Sequence, residues 1–252
     1  MTTTAPILEL ERVSRRFGGV VAVNELTFTL NRGERVGLIG PNGAGKTTLV
    51  NLITGVLPVS AGAIRFDGET VTNHKPYRAA RRGLSRTFQI VQPFPQMTVL
   101  ENVVAGALFA GSAVSRRAAK DEAMAQLEFV GLQKRAHAQA ASLTLADRKR
   151  IELATSLAMR PKVLLLDEVN AGLNPTEVDR ALDLIRAITD RGVTILIIEH
   201  LMKVVLSLSH RVLVMHHGEL ISDGPPNKVV NDPLVIEAYL GSRFADRLAR
   251  GG

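Results

Sequence analysis

Apolar positions along this 252-residue chain change period several times, and each change predicts an element. Leu8 to Val13 alternates apolar with polar residues, as does Leu26-Thr27-Phe28-Thr29-Leu30 before a turn at Asn31-Arg32-Gly33. Successive side chains of a strand point to opposite faces, so both stretches predict strands, with Phe17 and Gly18-Gly19 between them. Ala63-Ile64-Arg65-Phe66, Asp67-Gly68 and Glu69-Thr70-Val71 follow as strand, turn and strand, a hairpin. Leu84 to Gln89 predicts a strand stopping at a polar residue, and Pro93-Phe94-Pro95 breaks regular structure. Thr98-Val99-Leu100-Glu101 then matches a helix capping box, and helical spacing runs to about Met159, interrupted near Gly111-Ser112 and Gly131.

Val163-Leu164-Leu165-Leu166 is fully apolar, the pattern of a parallel strand covered on both faces, and it ends in Asp167-Glu168. A helix around Thr176 to Thr189 leads to the strand Thr194 to Ile198, which ends at Glu199-His200. Strands Arg211 to Met215 and Glu219 to Ser222, joined through His216-His217-Gly218, and a short helix after Pro233 complete the chain. The expected fold is α/β, with a mixed sheet, an antiparallel β subdomain and a helical insertion over about 98–160. Neither internal repeats nor low-complexity tracts are visible.

One stretch does not fit simple patterning. Gly40-Pro41-Asn42-Gly43-Ala44-Gly45-Lys46-Thr47-Thr48 follows the apolar strand Val36-Gly37-Leu38-Ile39 and precedes helical spacing that ends at Gly55. It reads Gly-x-x-x-x-Gly-Lys-[Ser/Thr], a phosphate-binding loop in the required strand, loop and helix context. Glycines let the backbone curl so that its N–H groups point at phosphate oxygens, and a helix start adds a positive dipole end. Lys46 would reach the terminal phosphates and the Thr47 hydroxyl would hold Mg2+. The plain alternative is a glycine-rich turn carrying a solvated lysine.

Composition narrows the setting. The chain has no cysteine, which excludes disulfides and thiolate metal sites and suits a reducing cytoplasm. Met1-Thr2-Thr3-Thr4-Ala5-Pro6 lacks a basic segment followed by an apolar one, so no signal peptide is expected. No apolar run approaches the ~18 residues that span a bilayer. The formal net charge of +7 would favour anionic lipid or nucleic acid. Its clusters, such as Arg81-Arg82 and Arg116-Arg117, are short and read as a solvated face, so no nucleic acid is expected as a partner.

Parallel α/β sheets gather ligands at the carboxyl ends of their strands. Gln89, Asp167-Glu168 and His200 all stand at predicted strand ends, as does the phosphate loop. Asp167 would support the Mg2+ shell, while Glu168 would orient or deprotonate a water beside the terminal phosphate. Adjacent acids there also serve as ordinary helix starts, and a histidine ending a strand is more often a packed or capping residue. The six histidines show no metal-ligand spacing.

Taken in order, these motifs resemble the ATP-binding cassette (ABC) ATPases over almost the whole chain, which implies a P-loop NTPase core and Mg-ATP hydrolysis. In that family Phe17 would match the aromatic stacking on adenine. Gln89 would match the glutamine touching Mg2+ and the membrane partner, and His200 the histidine on the terminal phosphate. Arg86-Thr87-Phe88-Gln89, Ala171-Gly172-Leu173-Asn174-Pro175-Thr176-Glu177 and Ile236-Glu237-Ala238-Tyr239-Leu240-Gly241 resemble, more narrowly, the ATPases of branched-chain amino acid importers. That implies a motor subunit on the cytoplasmic face of the plasma membrane. Its partners would be membrane subunits, a second ATPase subunit, identical or related, and indirectly an external substrate-binding protein. The family's other settings, export and soluble work on nucleic acid or ribosomes, are the alternatives.

The resemblance departs at Leu143-Thr144-Leu145-Ala146-Asp147, where the family usually carries Leu-Ser-Gly-Gly-Gln. In the family this loop caps the nucleotide of the opposite subunit, so the resemblance implies nucleotide contacts for Thr144, Ala146 and Asp147. Thr-x-x-Asp keeps a capping-box pattern. Two family glycines are replaced, at a cost of about 1–2 kcal/mol wherever left-handed geometry is needed. Asn174 similarly replaces an acid common in the family.

Overall fold

The computed structural model describes residues 5–87, 93–109, 115–199 and 202–240. It divides into two compact units, one formed by Met1–His74 with Thr194–Gly252 and the other by Lys75–Val193.

The first unit begins with an antiparallel sheet. Strand β1 (Leu8–Phe17) pairs with β2 (Val20–Leu30) in a register that sets Leu8 opposite Leu30 and Phe17 opposite Val20. Both strands are longer than expected, so Phe17 ends β1 rather than lying in the connection, and Gly18-Gly19 alone make the turn. Alternation faded after Val13 because the ladder slips register between Leu10 and Arg16, shifting which residues face inward. Strand β3 (Arg35–Ile39) then leads to helix α1 (Lys46–Ile53), and the expected hairpin appears as β4 (Ala61–Phe66) and a very short β5 (Glu69–Thr70). The sheet order is β2-β1-β4-β5.

The second unit opens with helix α2 (Pro76–Arg81), which the apolar pattern did not predict; Pro76 at its first turn is the available signal. Strand β6 (Leu84–Arg86) follows. Its expected continuation through Phe88 and Gln89 lies outside the described residues. Helices α3 (Val99–Phe109), α4 (Arg116–Phe129) and α5 (Leu145–Ala158) pack on one another, and Gly106 of α3 faces the Thr155 carbonyl of α5 so closely that a Cβ there would stand 2.6 Å from it. Strand β7 (Val163–Asp167) is buried at every position and pairs in parallel with β6, and helix α6 (Pro175–Asp190) ends the unit.

The Thr98 capping box is realised. Thr98 N–H donates to the Glu101 carboxylate at 2.7 Å, and Glu101 N–H donates back to the Thr98 hydroxyl at 3.2 Å. The Thr98 backbone N–H, and after it the Thr98 hydroxyl, hold the Glu101 carboxyl below its ordinary value of 4.5. A depressed folded-state value stabilises the fold above about pH 4.5, and that contribution is lost as pH falls through the lowered value. Urea unfolding of wild type and Glu101→Gln should therefore converge in acid and diverge toward neutrality; an equal gap at every pH would contradict this.

The chain returns to the first unit with β8 (Thr194–Ile198), helix α7 (Met202–Leu208), β9 (Arg211–His216), β10 (Glu219–Gly224) and helices α8 (Pro226–Val229) and α9 (Pro233–Leu240). Here β3 pairs in parallel with β8 and β9, and β9 pairs antiparallel with β10, which gives the expected mixed sheet. Ile39, Val205, Val212, Val214, Val229 and Val235 form one buried apolar cluster that draws α7, α8 and α9 onto it. Among the described residues no helix is long and apolar enough to cross a membrane.

Candidate functional site

In the first unit, β3 delivers the glycine loop and α1 receives it. Gly40 has φ +153° and Gly45 φ +101°, regions that L side chains rarely adopt. Space at these two positions is equally restrictive: a Cβ on Gly40 would lie 2.2 Å from the Met215 carbonyl oxygen, and one on Gly45 2.4 Å from the Ala22 carbonyl oxygen. Gly218 N–H donates to the Ala44 carbonyl at 3.0 Å, tying the middle of the loop to the β9–β10 turn. Asn42, Gly43 and Thr47 are exposed and Thr48 half-buried, whereas Ala44 and Lys46 are buried.

Gly45 is the N-cap of α1 and makes no side-chain cap bond, so the cap leaves the first amides of α1 directed out of the helix start. The Lys46 ammonium donates to the Gly40 carbonyl at 2.7 Å and the Pro41 carbonyl at 3.0 Å. A cation is thereby held against the loop backbone beside a helix start, an arrangement that attracts polyanions. Phe17 is 43% exposed, and the Arg15 guanidinium lies 4.5 Å from its ring centroid, so one ring face is used by a cation within the unit.

In the second unit the two carboxylates have different surroundings. Asp167 ends β7 and is buried; its carboxylate accepts from the Arg86 guanidinium at 2.6 Å, with both side chains largely shielded from solvent. Thr87 ties the same strand ends together: its N–H donates to the Leu165 carbonyl at 2.9 Å, and its hydroxyl accepts from Asp167 N–H at 3.2 Å. Glu168 is half-buried and adopts φ +50°, an uncommon conformation for a residue with a side chain that costs of order 1–3 kcal/mol. Its carbonyl accepts from the Lys149 ammonium at 3.2 Å and from Ala171 N–H at 3.1 Å, bonds that hold the strained turn in place.

The altered loop at Leu143–Asp147 folds without left-handed residues. Thr144 is an extended N-cap with φ −64°, and Leu145 and Ala146 open α5 with no positive φ, so the expected glycine-replacement cost does not arise. The predicted reciprocal capping box is only half formed. Asp147 N–H donates to the Thr144 hydroxyl at 3.2 Å, but the Asp147 carboxylate turns to Arg135 at 3.1 Å and Arg150 at 3.4 Å. Two guanidiniums thus offset an anion expected to face phosphate. Leu145, nearly half exposed, covers Gly172, where a Cβ would come within 2.9 Å of its Cδ2. Asn174 makes a complete capping box with Glu177, which accounts locally for the amide at that position.

Gln89 and His200 lie outside the described residues. The sequence did not assign a role to Arg86 or Lys149. Arg86 and Asp167 are 81 residues apart, and nothing in local patterning pairs an arginine on one strand with an acid on another. Lys149 sits in the polar run Asp147-Arg148-Lys149-Arg150, and its burial on α5 is visible only in the structure.

Taken singly, the Thr47 hydroxyl in the first unit and the Asp167 carboxylate in the second are each hard oxygens of the kind Mg2+ takes. No cluster of three His, Cys, Asp or Glu occurs among the described residues.

Residues 23–171 match the family model described as ABC transporter, and residues 219–245 match one described as branched-chain amino acid ATP-binding cassette transporter. The chain is 40% identical to the high-affinity branched-chain amino acid transport ATP-binding protein BraF of Pseudomonas aeruginosa, over 94% of this chain and 98% of that protein. It is equally similar, with the same coverage, to LivG of Escherichia coli, which bears the same description. A crystal structure of the ADP conformation of MJ1267, an ATP-binding cassette of an ABC transporter, superposes with a TM-score of 0.86 at 31% identity, covering 95% of this chain and 100% of that one.

Proposed function

This chain belongs to the ABC transporter ATP-binding family, and we propose that it hydrolyses ATP to drive uptake of branched-chain or related amino acids across the plasma membrane. The observation that carries the substrate class is the match of residues 219–245, outside the nucleotide motifs, to a branched-chain amino acid cassette family, together with end-to-end similarity to transport proteins of that kind. The family's ATPase activity is coupled to transport, and the fold is the ABC ATPase type.

In this reading the backbone of Gly40 to Thr48 binds the ATP phosphates, Lys46 contributes the cation, and Phe17 contacts adenine. Thr47, Gln89 and Asp167 serve Mg2+, which when bound neutralises charge on the phosphate oxygens. Arg86 fixes the carboxylate of Asp167, and the strained backbone at Glu168, braced by Lys149, aims a second carboxylate. Glu168 orients a water and takes its proton as oxygen bonds to the terminal phosphorus; the bond to the ADP oxygen breaks and phosphate leaves. His200 contacts the transferred group. Thr144, Ala146 and Asp147 face the nucleotide of a second ATPase subunit, and 98–160 acts as the helical subdomain of a single cassette.

Phe94 supports contact with membrane subunits. It is 62% exposed although apolar, and the buried Asn102 holds its backbone from both sides, accepting from Phe94 N–H at 2.8 Å and donating to its carbonyl at 3.2 Å. A fixed, exposed aromatic is a natural anchor in an interface. With its membrane subunits the protein would sit peripherally on the cytoplasmic face, served by an external substrate-binding protein. Affinity purification from detergent-solubilised membranes is expected to recover membrane subunits with the wild-type chain and less of them with Phe94→Ser. Recovery of salt-sensitive nucleic acid instead would favour a soluble role and contradict the reading.

A further inference from the structure

Strand β1 ends on Phe17, and Arg15, two residues before it, reaches back over the same ring. The Arg15 guanidinium lies 4.5 Å from the ring centroid, and its Nη1 donates to the Pro58 carbonyl at 2.9 Å. Its Nε is shielded from solvent with no hydrogen-bond partner among the described residues, so a carbonyl and an aromatic face hold this cation in place. Phe17 nonetheless stays 43% exposed, which leaves the opposite ring face open. The hairpin register sets that ring near the phosphate loop: Phe17 is paired with Val20, and two residues further along β2 the Ala22 carbonyl closes against Gly45. Two residues of strand span about 7 Å, comparable with the sugar that separates a nucleotide base from its phosphates.

We infer that Arg15 is a positioning residue for the nucleotide base: it pins Phe17 from one face, so that the other face is presented as a fixed platform for adenine. The inference rests on the proposal that Phe17 contacts adenine, and adds to it a residue that acts only through the ring. An exposed side chain that rotates freely loses that freedom when a ligand lands on it, and a ring already held avoids this cost. The guanidinium is drawn to the negative face of the ring, and stacking of a base needs only the remaining π-face. The Lys46 ammonium is set by the Gly40 and Pro41 carbonyls, so the grip on phosphate does not pass through Arg15.

The test is titration of the purified chain with MgADP and with magnesium pyrophosphate, which carries phosphates but no base. Wild type, Arg15→Ala, Arg15→Lys and Phe17→Ala are compared, with melting temperature measured alongside. Arg15→Ala is expected to weaken MgADP by about 2- to 5-fold, the worth of one cation–π contact at an exposed site. Its pyrophosphate affinity and melting temperature should stay close to wild type, and Arg15→Lys, which keeps the cation, should retain most of the MgADP affinity. Unaltered MgADP affinity in Arg15→Ala, or equal weakening of both ligands, would overturn the inference. Tighter MgADP binding would overturn it as well, since the guanidinium would then compete with the base for the ring. If Phe17→Ala bound MgADP like wild type, the adenine reading itself would have failed, and the inference with it; a loss in Phe17→Ala alone would count against Arg15 only.

Discussion

Glu168→Gln is expected to lower ATP turnover by about 10²–10⁴-fold, the usual range for removing an acid–base group, while MgADP affinity and melting temperature stay close to wild type. The expectation follows from the role proposed for the carboxylate. The contacts described at Glu168 are made by its carbonyl, which accepts from Lys149 and Ala171, and these bonds survive a change from carboxylate to amide. The φ of +50° is equally unfavourable for Gln and Glu, so backbone strain cancels from the comparison. The substitution removes the charge and the ability to accept a proton from water. Steady-state phosphate release by the transporter complex measures it, and turnover within about threefold of wild type would remove Glu168 from the role.

Gly40→Ala is expected to abolish measurable MgADP binding and to destabilise the fold by about 2–4 kcal/mol, combining backbone strain with overpacking. The new methyl would meet the Met215 carbonyl oxygen at 2.2 Å. That oxygen is main chain in β9, whose neighbour Val214 is paired with Ile39 of β3, so relief requires two central strands to part. Gly43→Ala is the informative control: φ is +79° there, but nothing lies within 4 Å of the added methyl, and only a strain cost of about 1–2 kcal/mol is expected. Denaturant unfolding and MgADP titration of the two variants should separate them clearly. Equal behaviour would mean that the loop is not held by the contact described.

Much of the fold is legible in the chain because the strongest signals are local. Val163 to Leu166 and Thr194 to Ile198 are buried at every position, as unbroken apolar runs require, and Thr98 and Glu101 form their box because its partners are three residues apart. The hidden parts are those in which distant segments meet. The reach of β1 to Phe17 depends on ladder slips that no alternation reveals. Pairing of Arg86 with Asp167 joins strand ends that sequence spacing leaves unrelated. At Leu143 to Asp147 the family pattern pointed to a strain cost for two replaced glycines, and that cost does not arise: the loop is extended at Thr144 and helical from Leu145, while Arg135 and Arg150 engage the Asp147 carboxylate.

In the proposed function one chemistry, ATP hydrolysis through Glu168, drives one task, amino acid uptake. Uptake of radiolabelled leucine by cells lacking this chain tests both together, with wild type or Glu168→Gln supplied in its place at equal abundance. Wild type should restore uptake, and Glu168→Gln should leave it at the level of cells without the chain. Uptake that is indifferent to the chain, or fully restored by Glu168→Gln, would contradict the account.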